Sequence, residues 1–213
     1  AWGVTLGANV NVAVLDEGIE STHDEFSDNL SPLSYDALTR ISPSTSVYGS
    51  HGTHVAGIIG ANQNGNQVSG VAPEATLMAI SHSFLASTLP TISEDMASGI
   101  SWAWQNGADI INNSWGDQGG AFFNDLQSIL LEDAITNALT DGRGGLGTIV
   151  VFASGNSAPV IDYPAYFHSD ILCIGSIEST GNRSSSSGFG NELDIVAPGS
   201  NIHSTLLKDL NIE

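Results

Sequence analysis

Residues 10–18 read Val-Asn-Val-Ala-Val-Leu-Asp-Glu-Gly, and this stretch decides the fold that the sequence predicts. Its apolar and β-branched residues are typical of a strand covered on both faces, and the strand ends at the acid Asp16. Each of the later apolar runs is equally short and nearly continuous, which favours further strands of the same kind. These runs occupy residues 76–81, 109–113, 148–153, 171–177 and 193–197.

Helical patterns separate these runs. One helix is predicted to begin at the capping-box pattern Thr91-Ile-Ser-Glu94, and another is predicted from about residue 124 to residue 140, with Gly142 as its stop. Their inward faces are predicted to carry Met96, Ile100 and Trp104 in the first helix, and Leu126, Ile129, Leu130 and Ala134 in the second. The alternation of strands and helices predicts an α/β fold with right-handed crossovers and a mostly parallel sheet. Ligands bind such sheets beyond the carboxyl ends of the strands.

Composition limits the size of the protein and the partners it can bind. The 213 residues fit one α/β domain, or two small ones at most. They include 23 acidic residues but only 4 Lys and Arg, for a formal net charge of −19, so nucleic acid and anionic membranes should be repelled. No apolar run approaches the roughly 20 residues of a membrane span, and Ala1 begins no signal peptide. We therefore expect a soluble chain with no nucleic-acid or membrane partner.

Two features that could suggest other chemistry have simpler interpretations. The single cysteine, Cys173, excludes an intrachain disulfide and a cysteine-rich zinc site, and its apolar neighbours indicate a buried thiol rather than a nucleophile. Residues 142–147 match the Gly-x-Gly-x-x-Gly dinucleotide fingerprint in form. They follow a predicted helix and precede a strand, whereas phosphate binding requires the reverse order, so we interpret them as a turn.

Three polar residues follow predicted strands or open a helix. Asp16 ends the first strand, His51 begins the segment His-Gly-Thr-His-Val-Ala-Gly, and Asn156 follows the run 148–153. Taken singly, each is more often a turn or a cap. Together, a carboxylate that orients a histidine and an amide that faces an oxyanion are three of the four parts of serine-dependent hydrolysis.

These segments resemble the subtilisin-like serine proteases, the subtilase family, over essentially the whole chain. The histidine motif His51–Gly57 matches without a departure, whereas Glu17 stands where the family usually has Ser, Thr or Asp. Further family segments occur in the right order: Gly70-Val-Ala-Pro73, Asn113-Ser-Trp-Gly116, Ala153-Ser-Gly-Asn156 and Asp194-Ile-Val-Ala-Pro-Gly199. The resemblance implies a three-layer α/β/α fold with a mostly parallel sheet, and endopeptidase chemistry.

The resemblance also implies catalytic roles. His51 would be the general base, Asp16 would orient its ring and stabilise the imidazolium, and Asn156 would donate its side-chain N–H to the oxyanion. We therefore expect Asp16 and His51 to lie within hydrogen-bond reach, with Asn156 facing the same cleft. His54, three residues after His51, is interpreted as a packing residue.

The family's nucleophile lies in a Gly-Thr-Ser-Met-Ala-type segment that has no counterpart here. Ser184–Ser187 matches a surface segment of the family, and we interpret it as a polar turn. We therefore expect residues 1–213 to form a single subtilase catalytic domain that is incomplete at both ends and inactive alone, with the serine supplied after Glu213 or by another chain. The alternative is a non-catalytic subtilase-like domain that binds peptides or serves as a scaffold.

The substrate cleft is inferred from the same resemblance. Two segments would form the walls of the pocket for the residue before the scissile bond, and the main chain of a third would pair with an extended substrate. The substrate-binding residues would be Ser114, Trp115 and Gly116, then Ala153, Ser154 and Gly155, and finally Ser81, His82, Ser83 and Phe84. Trp115 is equally a candidate for core packing, and the pocket floor carries no motif. The implied partners are a peptide or protein substrate and, in addition, a propeptide or a complementary fragment with the serine, in a secreted protein.

A calcium site is the remaining candidate. The Asn-rich loop after the histidine helix lies where the family often binds calcium, and calcium prefers six to eight oxygen ligands. By position, the ligands would be the Asn64 side chain, the carbonyls of Asn62, Asn66 and Val68, and the Glu25 carboxylate. The alternative is a polar turn that is simply rich in Asn and Gly.

Overall fold

The computed structural model describes residues 2–65 and 68–208, and in this part of the chain seven strands form one sheet. In chain order they are β1 (Asn11–Asp16), β2 (Tyr35–Asp36), β3 (Thr76–Ser81), β4 (Ile110–Asn113), β5 (Ile149–Ala153), β6 (Leu172–Ile177) and β7 (Ile195–Pro198). Their order across the sheet is β2-β3-β1-β4-β5-β6-β7, and every neighbouring pair is parallel. Six strands confirm the predicted runs to within two residues. The edge strand β2 is too short to show a sequence pattern.

The helices cover the two faces of the sheet. They are α1 (His51–Gly60), α2 (Ile92–Gln105), α3 (Phe123–Leu126) and α4 (Ile129–Gly145), and short 3-10 turns lie at Asp24–Phe26 and Ala86–Thr91. The helix α1 packs on one face, whereas α2 and α4 pack on the other, so the chain forms the expected three layers. Among the described residues, no helix combines the length and apolar character needed to cross a bilayer.

The predicted helix at residues 124–140 is corrected in its start and its inward face. Two helices replace it, because Ser128 has an extended backbone and its hydroxyl accepts the N–H of Leu131, which caps a new helix at residue 129. The register of α4 buries Leu131 and Ala134, so Ile129 and Leu130 are 72% and 58% exposed instead of facing inward. The helical dihedrals do end at Gly142 as predicted, and Arg143 and Gly144 follow with positive φ in the expected turn.

One face of the sheet is sealed. Side chains from successive strands alternate between the two faces, and the set that includes Leu15, Ile111, Phe152 and Cys173 is fully buried under α2 and α4. Burial raises the pKa of the Cys173 thiol to about 11, with Asp194 as a smaller cause, so this cysteine is an unreactive core residue as predicted.

The opposite face is covered by α1 only over β1 and β3. Beyond them, in the part of the chain that the structure describes, the side chains across β4 to β7 lie under no helix; Ile149 and Ile195 are 41% and 53% exposed. An apolar cleft of about 390 Å³ separates this region from α1 and is lined by Val12, Ile58 and Ile110 among others. We call the apolar side chains of β4 to β7 on this side of the sheet the open face. They are Ile110, Ile149, Val151, Leu172, Ile174 and Ile195.

Candidate active site

Asp16 and His51 are brought together where the central strand β1 meets the start of α1. His51 Nδ1 lies 2.9 Å from Asp16 Oδ1 and 3.0 Å from Oδ2, and the Asp16 carboxylate is buried. The first turn of α1 approaches β1 this closely because residue 52 is glycine: a Cβ atom there would overlap the carbonyl of Gly18. The contact expected between the two side chains is therefore present.

The charges around His51 favour its protonated form. The hydrogen bond that the His51 ring donates to Asp16 is the largest cause, and together with the charges of Asp16 and Glu17 it raises the pKa of His51 above its ordinary value, against the opposing effect of burial. The Glu17 carboxylate also accepts the main-chain N–H of His51 at 3.1 Å, so it caps the first turn of α1. The Asp16 carboxylate thus orients the His51 ring, while the Glu17 carboxylate holds the His51 main chain.

His51 and Asn156 face one cleft of about 460 Å³ at the carboxyl edge of the sheet. Asn156 follows β5 and Gly155, whose φ of +87° turns the chain out of the strand. The lining consists of Glu17, His51, Phe84, Ser114, Trp115, Gly116, Gln118, Ala153, Gly155, Asn156, Ser157 and Asp162. Five of the six predicted wall residues belong to it, and Trp115 both lines the cleft and packs edge-on against Phe152 at 5.0 Å.

Four predicted substrate-binding residues have buried side chains beneath the cleft. His82 donates its main-chain N–H to the carbonyl of Asp16, and its ring nitrogen Nε2 lies 3.1 Å from Asp95. Ser81 and Ser83 are also buried, so within the segment 81–84 only Phe84 lines the cleft. Ser154 is buried as well, with its hydroxyl 3.3 Å from that of Ser187.

Asp162 is one of the cleft residues that sequence reasoning missed, together with Glu17, Gln118 and Ser157. Its main-chain N–H donates to the carbonyl of Ser154 at 3.0 Å, and its Oδ1 accepts the N–H of Gly119 at 2.8 Å. Burial is the main cause that raises the pKa of this carboxyl. No motif marks Asp162, because its place in the cleft depends on contacts between loops that are far apart in the sequence.

The serine hydroxyls considered in the sequence are engaged elsewhere. Ser184 and Ser187 are buried in a network of hydroxyl contacts with Ser176, as expected for a structural turn. Ser204 donates to the carbonyl of the half-buried His54 at 2.6 Å. Among the described residues, no serine hydroxyl is hydrogen-bonded to the His51 ring.

The residues predicted to bind calcium are only partly assembled. Glu25 is buried, and its carbonyl accepts the N–H of Asn62 at 2.8 Å. Asn62 and Asn64 line a cavity of about 440 Å³ that also contains the carboxylates of Asp28 and Glu74. Val68 is half-buried and is not part of that lining, and Asn66 lies outside the described residues. Within residues 2–65 and 68–208, no three His, Cys, Asp or Glu side chains cluster as metal ligands, so amide and carbonyl oxygens would have to supply most of the donors.

Comparison with known proteins shows which family the sequence resembles. The model of the subtilase family matches residues 7–212. The chain is 37% identical over 204 residues to subtilisin DY of Bacillus licheniformis, covering 93% of the chain and 68% of that relative. It is 38% identical over 209 residues to subtilisin E of Bacillus subtilis (strain 168), covering 94% of the chain and 49% of that relative. The chain thus spans between about half and two thirds of the length of these relatives.

Solved structures show the same likeness. Fervidolysin from Fervidobacterium pennivorans, a keratinolytic enzyme related to subtilisin, superposes with a TM-score of 0.79 at 27% identity, covering 96% of this chain and 30% of that one. A cold adapted subtilisin-like serine proteinase superposes with a TM-score of 0.74 at 29% identity, covering 95% of this chain and 67% of that one.

The pKa of His51 is directly measurable by NMR titration of the ring protons. We expect it above 6.5, the ordinary value, and we expect Asp16→Asn to lower it markedly because the hydrogen bond and the charge are both weakened. Glu17→Gln should lower it less, and Asp141→Asn, which removes an exposed charge elsewhere, should leave it unchanged. In an enzyme that used His51 as its general base, only the neutral imidazole would act, so activity would be lost as the pH falls through this raised pKa. An unchanged pKa in Asp16→Asn would contradict the assignment.

Proposed function

Because the chain belongs to the subtilase family, we propose that it supplies the general base, its orienting acid and the oxyanion donor of a serine endopeptidase. One observation carries this proposal: the His51 ring is held by the buried Asp16 carboxylate and faces the same cleft as Asn156. We propose further that the nucleophilic serine comes from a segment outside this sequence.

Each of these residues has a defined step in peptide hydrolysis. The neutral His51 ring takes the proton of the serine hydroxyl as its oxygen attacks the carbonyl carbon, and the carbonyl oxygen becomes an oxyanion. Asn156 donates a hydrogen bond to that oxyanion, and Asp16 stabilises the imidazolium. When the C–N bond breaks, His51 returns the proton to the leaving amine. A water molecule, deprotonated by His51, then attacks the acyl-enzyme carbonyl; the ester bond to the serine oxygen breaks, the acid product leaves, and His51 returns the proton to the serine oxygen.

We infer that the serine-bearing segment packs on the open face. This surface is apolar, it adjoins α1, and α1 begins with His51, so a helix placed there lies close to the base. Exposed apolar surface of this extent is unfavourable in water and favours a covering element. The segment would therefore complete both the hydrophobic core and the catalytic site.

The substrate class proposed is a peptide or protein in extended conformation. The cleft beside His51 and the position of Phe84 in its lining support this, and the N–H of His82 and the carbonyl of Ser81 are already bonded within the sheet. Pairing with a substrate strand would therefore use the main chain of Ser83 and Phe84. As the resemblance implies, we propose secretion, and a propeptide or a complementary fragment as a further partner.

We also propose a structural calcium ion near Glu25 and the Asn-rich loop. The donors fit in kind, because the buried residue Glu25 is bonded through its main-chain carbonyl to Asn62, and Asn62 and Asn64 line one cavity. When bound, the ion would supply only stability, by fixing the loop against the 3-10 turn that carries Glu25. Asp28 and Glu74 add negative charge at the same cavity.

Labelling with a serine-directed phosphonofluoridate tests the proposed enzyme class. The natural gene product should be modified at one serine outside residues 1–213, and these 213 residues alone should be neither labelled nor proteolytic. His51→Ala should abolish labelling because the hydroxyl is no longer activated, whereas His168→Ala, away from the cleft, should not. A natural product that resists labelling and hydrolyses no peptide would instead support the non-catalytic peptide-binding or scaffold domain.

Substitution of the oxyanion donor tests the role of Asn156. In the active protein, Asn156→Ala should lower kcat with little change in KM, because the hydrogen bond forms only as the oxyanion develops. Subtilisin itself sets the scale, since loss of such a donor there costs about 100- to 1000-fold in kcat. Ser157→Ala, the neighbouring residue of the lining, is the matched control. An equal fall in both variants would show that Asn156 has no special role.

Calcium removal tests the metal proposal through thermal unfolding. Calcium at about a thousand times its Kd adds roughly 4 kcal/mol to the free energy of unfolding, so a chelator should lower Tm and added calcium should restore it. Glu25→Gln should abolish this response, and Glu178→Gln, an exposed control, should preserve it. Screening of the net charge by sodium gives a separate response that calcium ligands do not affect. A Tm that the chelator does not move would contradict the site.

A further inference from the structure

We propose that Asp162 makes this cleft select substrates with lysine or arginine immediately before the scissile bond. This inference rests on the proposed endopeptidase function, since it assigns the specificity of the same cleft. It follows from the position of one carboxylate and from the charges around it.

The carboxylate of Asp162 lies between the two walls of the cleft. A Cβ atom on Gly155 would overlap this carboxylate, and one on Gly116 would lie 2.7 Å from the Asp162 Cβ. Both walls can therefore close around Asp162 only because they carry glycine at these positions. The Asp162 side chain therefore packs against Gly155 in one wall and Gly116 in the other, where the absence of a Cβ atom leaves room for it.

Hydrogen bonds hold Asp162 in this position from both sides. Its N–H donates to the carbonyl of Ser154 in one wall, and Gly119, which follows the other wall, donates to Oδ1. The next residue, Tyr163, exchanges main-chain and side-chain bonds with Asp117 at 3.1 and 3.2 Å. The carboxylate is thus part of a rigid floor and not a mobile surface group.

No cation compensates this charge within the chain that the structure describes. Asp162 is only 5% exposed, yet Lys, Arg and His side chains form their ion pairs elsewhere, with Asp16, Asp24, Asp95 and Asp109. The cleft lining contains no Lys or Arg, and it contains a second carboxylate, Glu17. Burial, together with the charge of Asp117, raises the pKa of Asp162, which is the expected result for a carboxylate without a counter-ion.

A lysine or arginine side chain matches this environment in both of its parts. The aliphatic stem would lie along Trp115 and Ala153, while the charged end would reach the carboxylate. An apolar side chain of the same length would remove water from Asp162 without replacing the lost interactions, and this cost counts against it. An acidic side chain would add repulsion. The walls without Asp162 would favour an apolar residue. The carboxylate of Asp162 shifts the preference to lysine or arginine.

The test compares peptides that differ only in the residue before the scissile bond, hydrolysed by the natural, serine-containing product. Lysine and norleucine differ only by the ammonium group, so their ratio of kcat/KM isolates the charge. We expect kcat/KM for the lysine and arginine peptides to exceed that for the norleucine peptide by about 30-fold or more, and kcat/KM for the glutamate peptide to be lowest. The reason is that a buried carboxylate left without a cationic partner costs free energy. This comparison needs no variant, and a norleucine peptide cleaved as well as the lysine peptide would overturn the proposal.

Variants then assign the preference to one residue. Asp162→Asn keeps the shape of the side chain and should reduce the ratio of lysine to norleucine to near one. Asp141→Asn removes one exposed charge elsewhere and should keep the ratio, which separates a local effect from the general attraction of a chain with net charge −19. A ratio that Asp162→Asn does not change would overturn the assignment.

A binding experiment separates this inference from the proposed function, because it needs no serine. Benzamidine carries a flat cation on an apolar ring, and it should bind the natural gene product in isothermal titration calorimetry, whereas benzyl alcohol should not. Asp162→Asn should abolish the binding and Asp141→Asn should preserve it. Binding of this kind without hydrolysis of any peptide would leave the cation pocket standing and contradict the proposed enzyme. Hydrolysis of peptides without benzamidine binding would support the proposed enzyme and contradict the cation pocket.

Discussion

The hydrogen bond between Asp16 and His51 is the contact on which the rest of the site depends. It joins the carboxyl end of the central strand to the first residue of a helix that is 35 positions later in the sequence. The bond can form only if the helix approaches the strand closely, and Gly52 is the residue that permits this approach. Glu17 holds the same turn from the other side through the N–H of His51. A short segment of backbone therefore fixes the position of the His51 ring, the residue that we propose as the base.

The two faces of the sheet differ in a way that couples folding to chemistry. One face is sealed by α2 and α4 over side chains such as Leu15 and Phe152, and this half of the core is complete. On the other face, among residues 2–65 and 68–208, α1 covers only β1 and β3, and the open face presents apolar residues to solvent. A hydrophobic helix on that surface would bury it and would bring a residue beside His51. In this arrangement, the covering of apolar surface and the completion of the active site are one event.

Three carboxylates around the cleft have different roles because their surroundings differ. Asp16 is buried against a histidine and acts on its ring, whereas Glu17 accepts a backbone N–H and supports a helix turn. Asp162 accepts a backbone N–H but has no cationic partner in the part of the chain that the structure describes, and burial raises the pKa of its carboxyl. The same functional group thus contacts a histidine ring, caps a helix or, as we propose for Asp162, selects a substrate. The acidic composition by itself distinguishes none of these roles.

Sequence alone determined the elements whose information is local. Six apolar runs predicted six strands, and the motif residues Asp16, His51 and Asn156 predicted a contact and a shared cleft that are both present. Tertiary structure decided what depends on segments far apart in the chain. The capping of α4 by Ser128 reversed the expected burial of Ile129, and bonds between the loops placed Asp162 at the floor of the cleft. The physical reason is the range of the interactions: periodicity and motifs report on neighbours in sequence, whereas a pocket floor is made by residues that become neighbours only in the folded chain.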